Sequence, residues 1–144
     1  MKYYAVIDTN VLVSAALKWE SVPGSIIELA FAGIIIPVLN DRIINEYRQV
    51  LLRPRFHLDQ ETVDSIIHGI RQYAVCVEGE ASAIELPDEK DRVFYEVVME
   101  ERRDEDAYLV TGNIKHFPVE RFIVTPRQML NIILGSESDE RNNH

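Results

Sequence analysis

The sequence predicts an α/β fold: a central, mostly parallel sheet with helices on both faces. Two observations carry that prediction. Short apolar runs alternate with helix-length amphipathic runs along the chain, which is the signature of βα units. No internal repeat and no Pro/Gly/Ser-rich linker interrupts the alternation, so residues 1–135 are expected to form one domain and residues 136–144 a disordered polar tail.

The elements are expected in this order. YYAVID, residues 3–8, is aromatic and β-branched and too short for a helix, so it reads as a buried strand. Helices are expected over 10–17 and 24–32, with Gly33 closing the second as its C-cap. IIIPVL, 34–39, is a second strand in which Pro37 favours an edge or a strand end. Asn40 or Asp41 suits the N-cap of a helix over 41–52, which Arg53-Pro54 ends. Val63, Ile66, Ile67 and Ile70 give 60–73 the apolar stripe of an amphipathic helix. AVCV, 74–77, is a third short strand, followed by an acidic, turn-rich connector to Pro87. A helix over 91–102 then buries Val93, Phe94, Val97 and Val98. AYLVT, 107–111, and RFIVT, 121–125, are the last strands, and Pro126 suits the first turn of a closing helix over 126–134.

Composition bounds the function. With 47% hydrophobic and 27% charged residues the 144-residue chain has the profile of a globular protein. No apolar run reaches the ~18 residues of a membrane span. The opening run MKYYAVID lacks the small-residue cleavage site of a signal peptide, and a cytoplasmic location is expected. Cys76 is the single cysteine, which leaves no intrachain disulfide and no cysteine zinc cluster. The net charge of −9 argues by itself against a nucleic-acid binder. It does not argue against a carboxylate cluster that draws phosphates in through a bound cation.

Ligands of open parallel sheets bind at the carboxyl ends of the strands. Asp8 ends the first strand, Asn40-Asp41 follow the second with Glu46 just beyond, and Thr111-Gly112-Asn113 end the fourth. Asp88-Glu89-Lys90-Asp91 open the helix before that fourth strand. Glu46 sits at the border of the stripe formed by Ile43, Tyr47, Val50 and Leu51, and an inward carboxylate is costly without a partner. No Lys or Arg is placed to neutralise Asp8 and Glu46 together, whereas a hard divalent cation would be. Each residue also has a local reading. Asp8 could cap the next helix, Glu46 could be solvated, the 88–91 acids could serve the helix dipole, and Asn113 could be a turn residue. Their convergence on one edge favours a functional reading.

D-T-N-V-L after the first strand, Glu46 in N-E-Y, D-x-x-F at Asp91 to Phe94, and Y-L-V-T-G-N-x-K-H-F at 108–117 together resemble the PIN-domain family. Within it they are most similar to the toxin components of bacterial toxin–antitoxin systems. The resemblance runs from about residue 3 to residue 134. It implies a three-layer α/β/α sandwich, RNA cleavage dependent on Mg2+ or Mn2+, and a small antitoxin protein as inhibitor; a homodimer is compatible with it. By position, Asp8, Glu46 and Asp91 match the family's metal-binding acids, Asn10 the residue that orients the first acid, and Thr111 the hydroxyl beside the site. Many members carry an aspartate where this chain has Asn113, whose amide can ligate a metal without adding charge. Asp88, Asp104 and Asp106 are candidates to compensate; a lone His before Phe-Pro is more often structural, and an approach of His116 to the site stays open. Asp8 is then expected at the mouth of the sheet rather than in the core.

Arg42, Arg48, Arg53, Arg55 and His57 form the most basic stretch, with Tyr47 and Phe56 adding aromatic surface. Arg48, Arg53 and Arg55 are the candidate RNA contacts, Arg102-Arg103 a second basic site, and a solvated helix face the local alternative. Two rival enzyme and signalling classes fit poorly. A haloacid-dehalogenase-type phosphatase needs an aspartate at position 10, and a receiver domain needs one ending a middle strand. A degenerate PIN fold that binds a partner and cuts nothing remains an alternative.

Overall fold

The computed structural model describes the backbone of residues 1–142 and the side chains of residues 1–135. Five strands, β1 (Tyr3–Ile7), β2 (Ile35–Leu39), β3 (Val75–Cys76), β4 (Tyr108–Val110) and β5 (Ile123–Val124), form one sheet in the order β3-β2-β1-β4-β5. Every pairing is parallel. Among the described residues six α-helices complete the α/β/α sandwich: α1 (Thr9–Leu17), α2 (Val22–Phe31), α3 (Asp41–Leu51), α4 (Gln60–Arg71), α5 (Arg92–Glu101) and α6 (Pro126–Asn142). α5 lies against β1, β2 and β4, while α1, α4 and α6 gather on α2, which packs on β2. The strands are buried because both faces are covered: Ala5, Val6, Ile7, Ile35, Leu109 and Val110 are at most 1% exposed.

The local signals act where the chain places them. Ser21 accepts a hydrogen bond from the Gly24 amide at 3.1 Å, Asn40 from Ile43 at 2.9 Å and Asp59 from Thr62 at 2.7 Å, capping α2, α3 and α4. Gly33, at φ +80°, ends the α2 turn in the left-handed region, and the next amide, Ile34, returns to the Leu29 carbonyl at 3.0 Å. Pro37 lies inside β2, a strand with neighbours on both sides. The Leu39 carbonyl faces β3, where it accepts from Val77, and by the two-residue alternation Pro37 faces that side too. β3 pairs only at Val38 and Leu39, so at Pro37 that side of β2 is still an edge and no ladder donor is missed.

The expected elements are all present, with shifted ends. α1 starts at Thr9 and α2 at Val22, and α5 starts at Arg92 after a 3-10 turn over Glu89–Asp91. The last three strands are shorter than expected. α6, expected to end at 134, runs to Asn142. Part of the expected polar tail, residues 143 and 144, lies outside the described residues.

Candidate active site

The order of the sheet reverses between β1 and β4, which leave in opposite directions to β2 and β5. The crevice at the carboxyl ends of two such strands is where open α/β sheets bind ligands. Asp8 follows β1 and Thr111 follows β4. The Thr111 hydroxyl donates to Asp8 Oδ2 at 2.7 Å and so spans the switch point. That hydroxyl also accepts the Asn113 amide at 3.0 Å, using its donor and an acceptor together. Asn10, in the first turn of α1, donates its amide to the same Asp8 Oδ2 at 3.2 Å, and its own oxygen accepts from the Gly112 amide at 3.0 Å. One carboxylate, one hydroxyl and one amide thus tie the β1 and β4 loops together.

Asp8 occupies the N-cap position of α1, yet its side chain makes no capping bond. It is committed to the crevice instead. At 5% exposure it is more deeply set than a residue standing free at the mouth of the sheet.

Glu46 arrives from α3. The Tyr47 hydroxyl donates to the Ile7 carbonyl, pinning the helix to the end of β1, and Tyr47 stacks on Phe94 of α5 with ring centroids 6.4 Å apart. The preceding residue then faces the crevice, where Thr9 donates its hydroxyl to Glu46 Oε2 at 3.0 Å. Asp91 ends the 3-10 turn before α5 and is only 9% exposed. Its Oδ2 lies 3.1 Å from Nδ1 of His116, which ends a short turn after β4.

These side chains share a cavity of about 390 Å3, whose wall includes Asp8, Asn10, Glu46, Asp88, Asp91 and Asn113. Arg53, Arg55, Lys90, Phe56 and His116 also border it. Among the described residues neither Asp8 nor Glu46 forms an ion pair. Burial pushes the Asp8 carboxyl up to about 6; the Thr111 hydroxyl opposes the rise, and the charges of Asp91 and Glu46 add to it. Asp91 is raised as well, by burial first, with His116 holding it down. The crevice therefore gathers carboxylates of which Asp8 and Glu46 have no ion-pair partner among the described residues.

The donor set is hard: carboxylate oxygens from Asp8, Glu46 and Asp91 and the amide oxygen of Asn113, the chemistry that Mg2+ or Mn2+ takes. Among the described residues no three Asp, Glu, His or Cys side chains are grouped so that they could hold a metal ion as they stand. The hydroxyl of Thr9 holds Glu46 and the ring of His116 holds Asp91, each at one carboxylate oxygen.

Of the residues singled out from sequence, the cavity gathers Asp8, Asn10, Glu46, Asp91, Asn113, Arg53 and Arg55, with Thr111 buried directly behind Asp8. Asn40 is spent on its cap, and Arg48 pairs with Asp64 of α4 outside the cavity. Asp88 lines the cavity, whereas Asp106 pairs with Arg102 at the other end of β4 and Asp104 does not line it. His116, more often structural in its sequence setting, stands in the site. Thr9 and Lys90 were not singled out. Thr9 lies within D-T-N and Lys90 within D-E-K-D, where the acids are the stronger signal.

A family model described as PIN domain matches residues 4–115. The chain is also 26% identical over 130 aligned residues to an uncharacterized protein of Methanocaldococcus jannaschii, MJ1680, covering 79% of this chain and 84% of that one. No solved structure matches it significantly. With the family model spanning most of the chain and the acid-lined crevice at its sheet edge, the protein belongs to the PIN-domain family, whose members are generally nucleases.

Proposed function

We propose that this protein is an endoribonuclease dependent on Mg2+ or Mn2+ that hydrolyses RNA phosphodiesters, and that it is the toxin of a toxin–antitoxin pair acting in the cytoplasm. The observation that carries the nuclease reading is Asp8: a buried carboxylate without an ion pair, raised to about 6 beside Asp91 and Glu46 at the switch point of the sheet. What supports the toxin role is the likeness of the D-T-N, N-E-Y, D-x-x-F and T-G-N motifs to that group of the family. On this reading the partners are an RNA substrate and an antitoxin protein, and the chain is compatible with a homodimer. No helix among the described residues is long and apolar enough to cross a membrane.

Asp8, Glu46 and Asp91 would hold the cation, with the Asn113 amide oxygen as a neutral fourth donor. A divalent cation bound there supplies Lewis acidity toward the phosphate and lowers the pKa of bound water. Thr111 and Asn10 fix the Asp8 carboxylate from two sides, and His116 fixes Asp91. Arg53, Arg55 and Lys90 border the cavity and offer charge to the flanking phosphates. No side chain is required as a nucleophile.

The test is cleavage of a labelled single-stranded RNA pool by purified protein in Mg2+, in Mn2+ and in EDTA, beside Asp8→Asn. Metal-dependent cutting that falls at least a hundred-fold in the variant is expected. The neutral Asn113 and the lack of a tight acid cluster among the described residues favour a second reading, a PIN fold that binds without cutting. Metal binding with no turnover on any RNA would establish that reading instead.

A further inference from the structure

Phe56 is an aromatic residue that stands outside the hydrophobic core. Its ring is half-buried, but among the described residues it belongs neither to the hydrophobic core nor to the layer of apolar side chains packed on that core. It borders the cavity that holds Asp8 and Glu46. The Arg55 guanidinium lies over the ring, 4.9 Å from its centroid.

The segment that presents it is stiff. Pro54–Phe56 is a single 3-10 turn in which Pro54 fixes one φ, the Phe56 amide donates to Arg53 at 3.0 Å and the His57 amide donates to Pro54 at 3.1 Å. His57 then sits at φ 53°, and no other described non-glycine residue has a positive φ. That conformation is uncommon outside glycine, though histidine is among the residues that take it more readily, and it closes the turn. Here the turn aims Arg53, Arg55 and Phe56 at one cavity.

A flat ring with cations beside it, at the edge of the proposed cleavage centre, suits an unpaired nucleobase. We infer that Phe56, with Arg53 and Arg55, forms a stacking subsite for an unpaired nucleobase next to the scissile phosphate. The inference rests on the ribonuclease reading and adds to it a reason for selecting single strands. A base held in a duplex is stacked on its neighbours and cannot present its face to the ring. The ring would add affinity without reading sequence, since every base has a π-face.

The test separates the base from the backbone. Binding of a labelled RNA decamer and of the same decamer with its bases removed is measured by fluorescence anisotropy in EDTA, so that no cutting intervenes. Stacking of one base is worth about 5- to 150-fold in affinity. Wild type is expected to prefer the base-bearing strand by roughly ten-fold or more. Phe56→Leu should lose that preference while keeping its affinity for the abasic strand, and Phe56→Trp should restore it. Arg53→Ala with Arg55→Ala should weaken both strands alike and flatten the salt dependence. A Phe56→Leu protein that discriminates as well as wild type, or a wild type that does not discriminate, overturns the subsite. Because the ring lies outside the core, Phe56→Leu should melt with wild type, which a thermal scan checks. The nuclease reading fails separately: base preference in EDTA together with no cleavage in Mg2+ or Mn2+ would leave the subsite standing and remove the enzyme.

Discussion

A polar cavity lies at each end of β4, and the two treat charge in opposite ways. The one at the amino end, about 280 Å3, is lined by Arg102, Asp106, Tyr108, Glu120, Arg121 and Phe122. Its charges are balanced by type. Arg102 meets Asp106 at 3.3 Å, donates to the Ala107 carbonyl and lies 4.2 Å over the Phe122 ring. At the carboxyl end Asp8, Glu46, Asp88 and Asp91 face one cavity, and the cations there stand at the rim without pairing with Asp8 or Glu46. Burying like charges costs stability, and a fold tolerates that cost where a ligand offsets it. The amino-end cavity needs nothing further. On the proposed reading a divalent cation completes the carboxyl-end cavity.

The largest effect expected beyond loss of Asp8 itself is at His116. His116→Ala should lower cleavage ten- to a hundred-fold by releasing Asp91, on the order seen when partners of metal ligands are removed. His116→Asn, whose amide nitrogen can occupy the place of Nδ1, should recover most of the loss. A histidine that serves only packing would show no such rescue, and metal affinity measured by calorimetry should follow the same order.

Stability gives the next contrast. The Asp8 carboxyl is raised from 3.8 to about 6 in the fold, so its charged form destabilises the native state. In EDTA, Asp8→Asn should therefore be more stable than wild type above pH 6, by on the order of 1–3 kcal/mol. The gain should shrink as the pH falls from 6 toward 4 and vanish only below about 3, under both the folded and the unfolded value, where Asp8 is protonated in either state. Thermal melts at pH 8 and pH 4 read it. A variant less stable than wild type at pH 8 would mean that Asp8 is a structural anchor.

The smallest effect belongs to the balanced cavity. Arg102→Ala should cost about 1 kcal/mol of stability through its carbonyl bond and its ring contact. Its cleavage rate should stay within about two-fold of wild type. A large loss of activity with unchanged metal affinity would move part of the function to that end of the sheet.

Those two cavities were not equally legible in the sequence. A parallel sheet puts the last residue of each strand at one edge, so Asp8 and Thr111 could be placed there from strand ends alone. Glu46 could be aimed from the stripe of α3, because helical periodicity is local. Pairings across elements were not legible. Thr9 holds Glu46 across 37 positions and His116 meets Asp91 across 25, and neither spacing has a period. Arg48 looked equivalent to Arg53 and Arg55, but the packing of α3 on α4 gives it to Asp64. The end of α5 nearest the site was placed within one residue, since Asp91 closes a 3-10 turn that sequence does not distinguish from helix.

The central claim, that the carboxyl-end cavity is completed by a divalent cation held on Asp8, is tested most directly by titrating Mn2+ into wild-type protein and Asp8→Asn in a calorimeter at pH 8. Saturable binding by wild type that the variant loses is the predicted result. Binding that is equal in the two proteins, or no binding by wild type at millimolar metal, would contradict it.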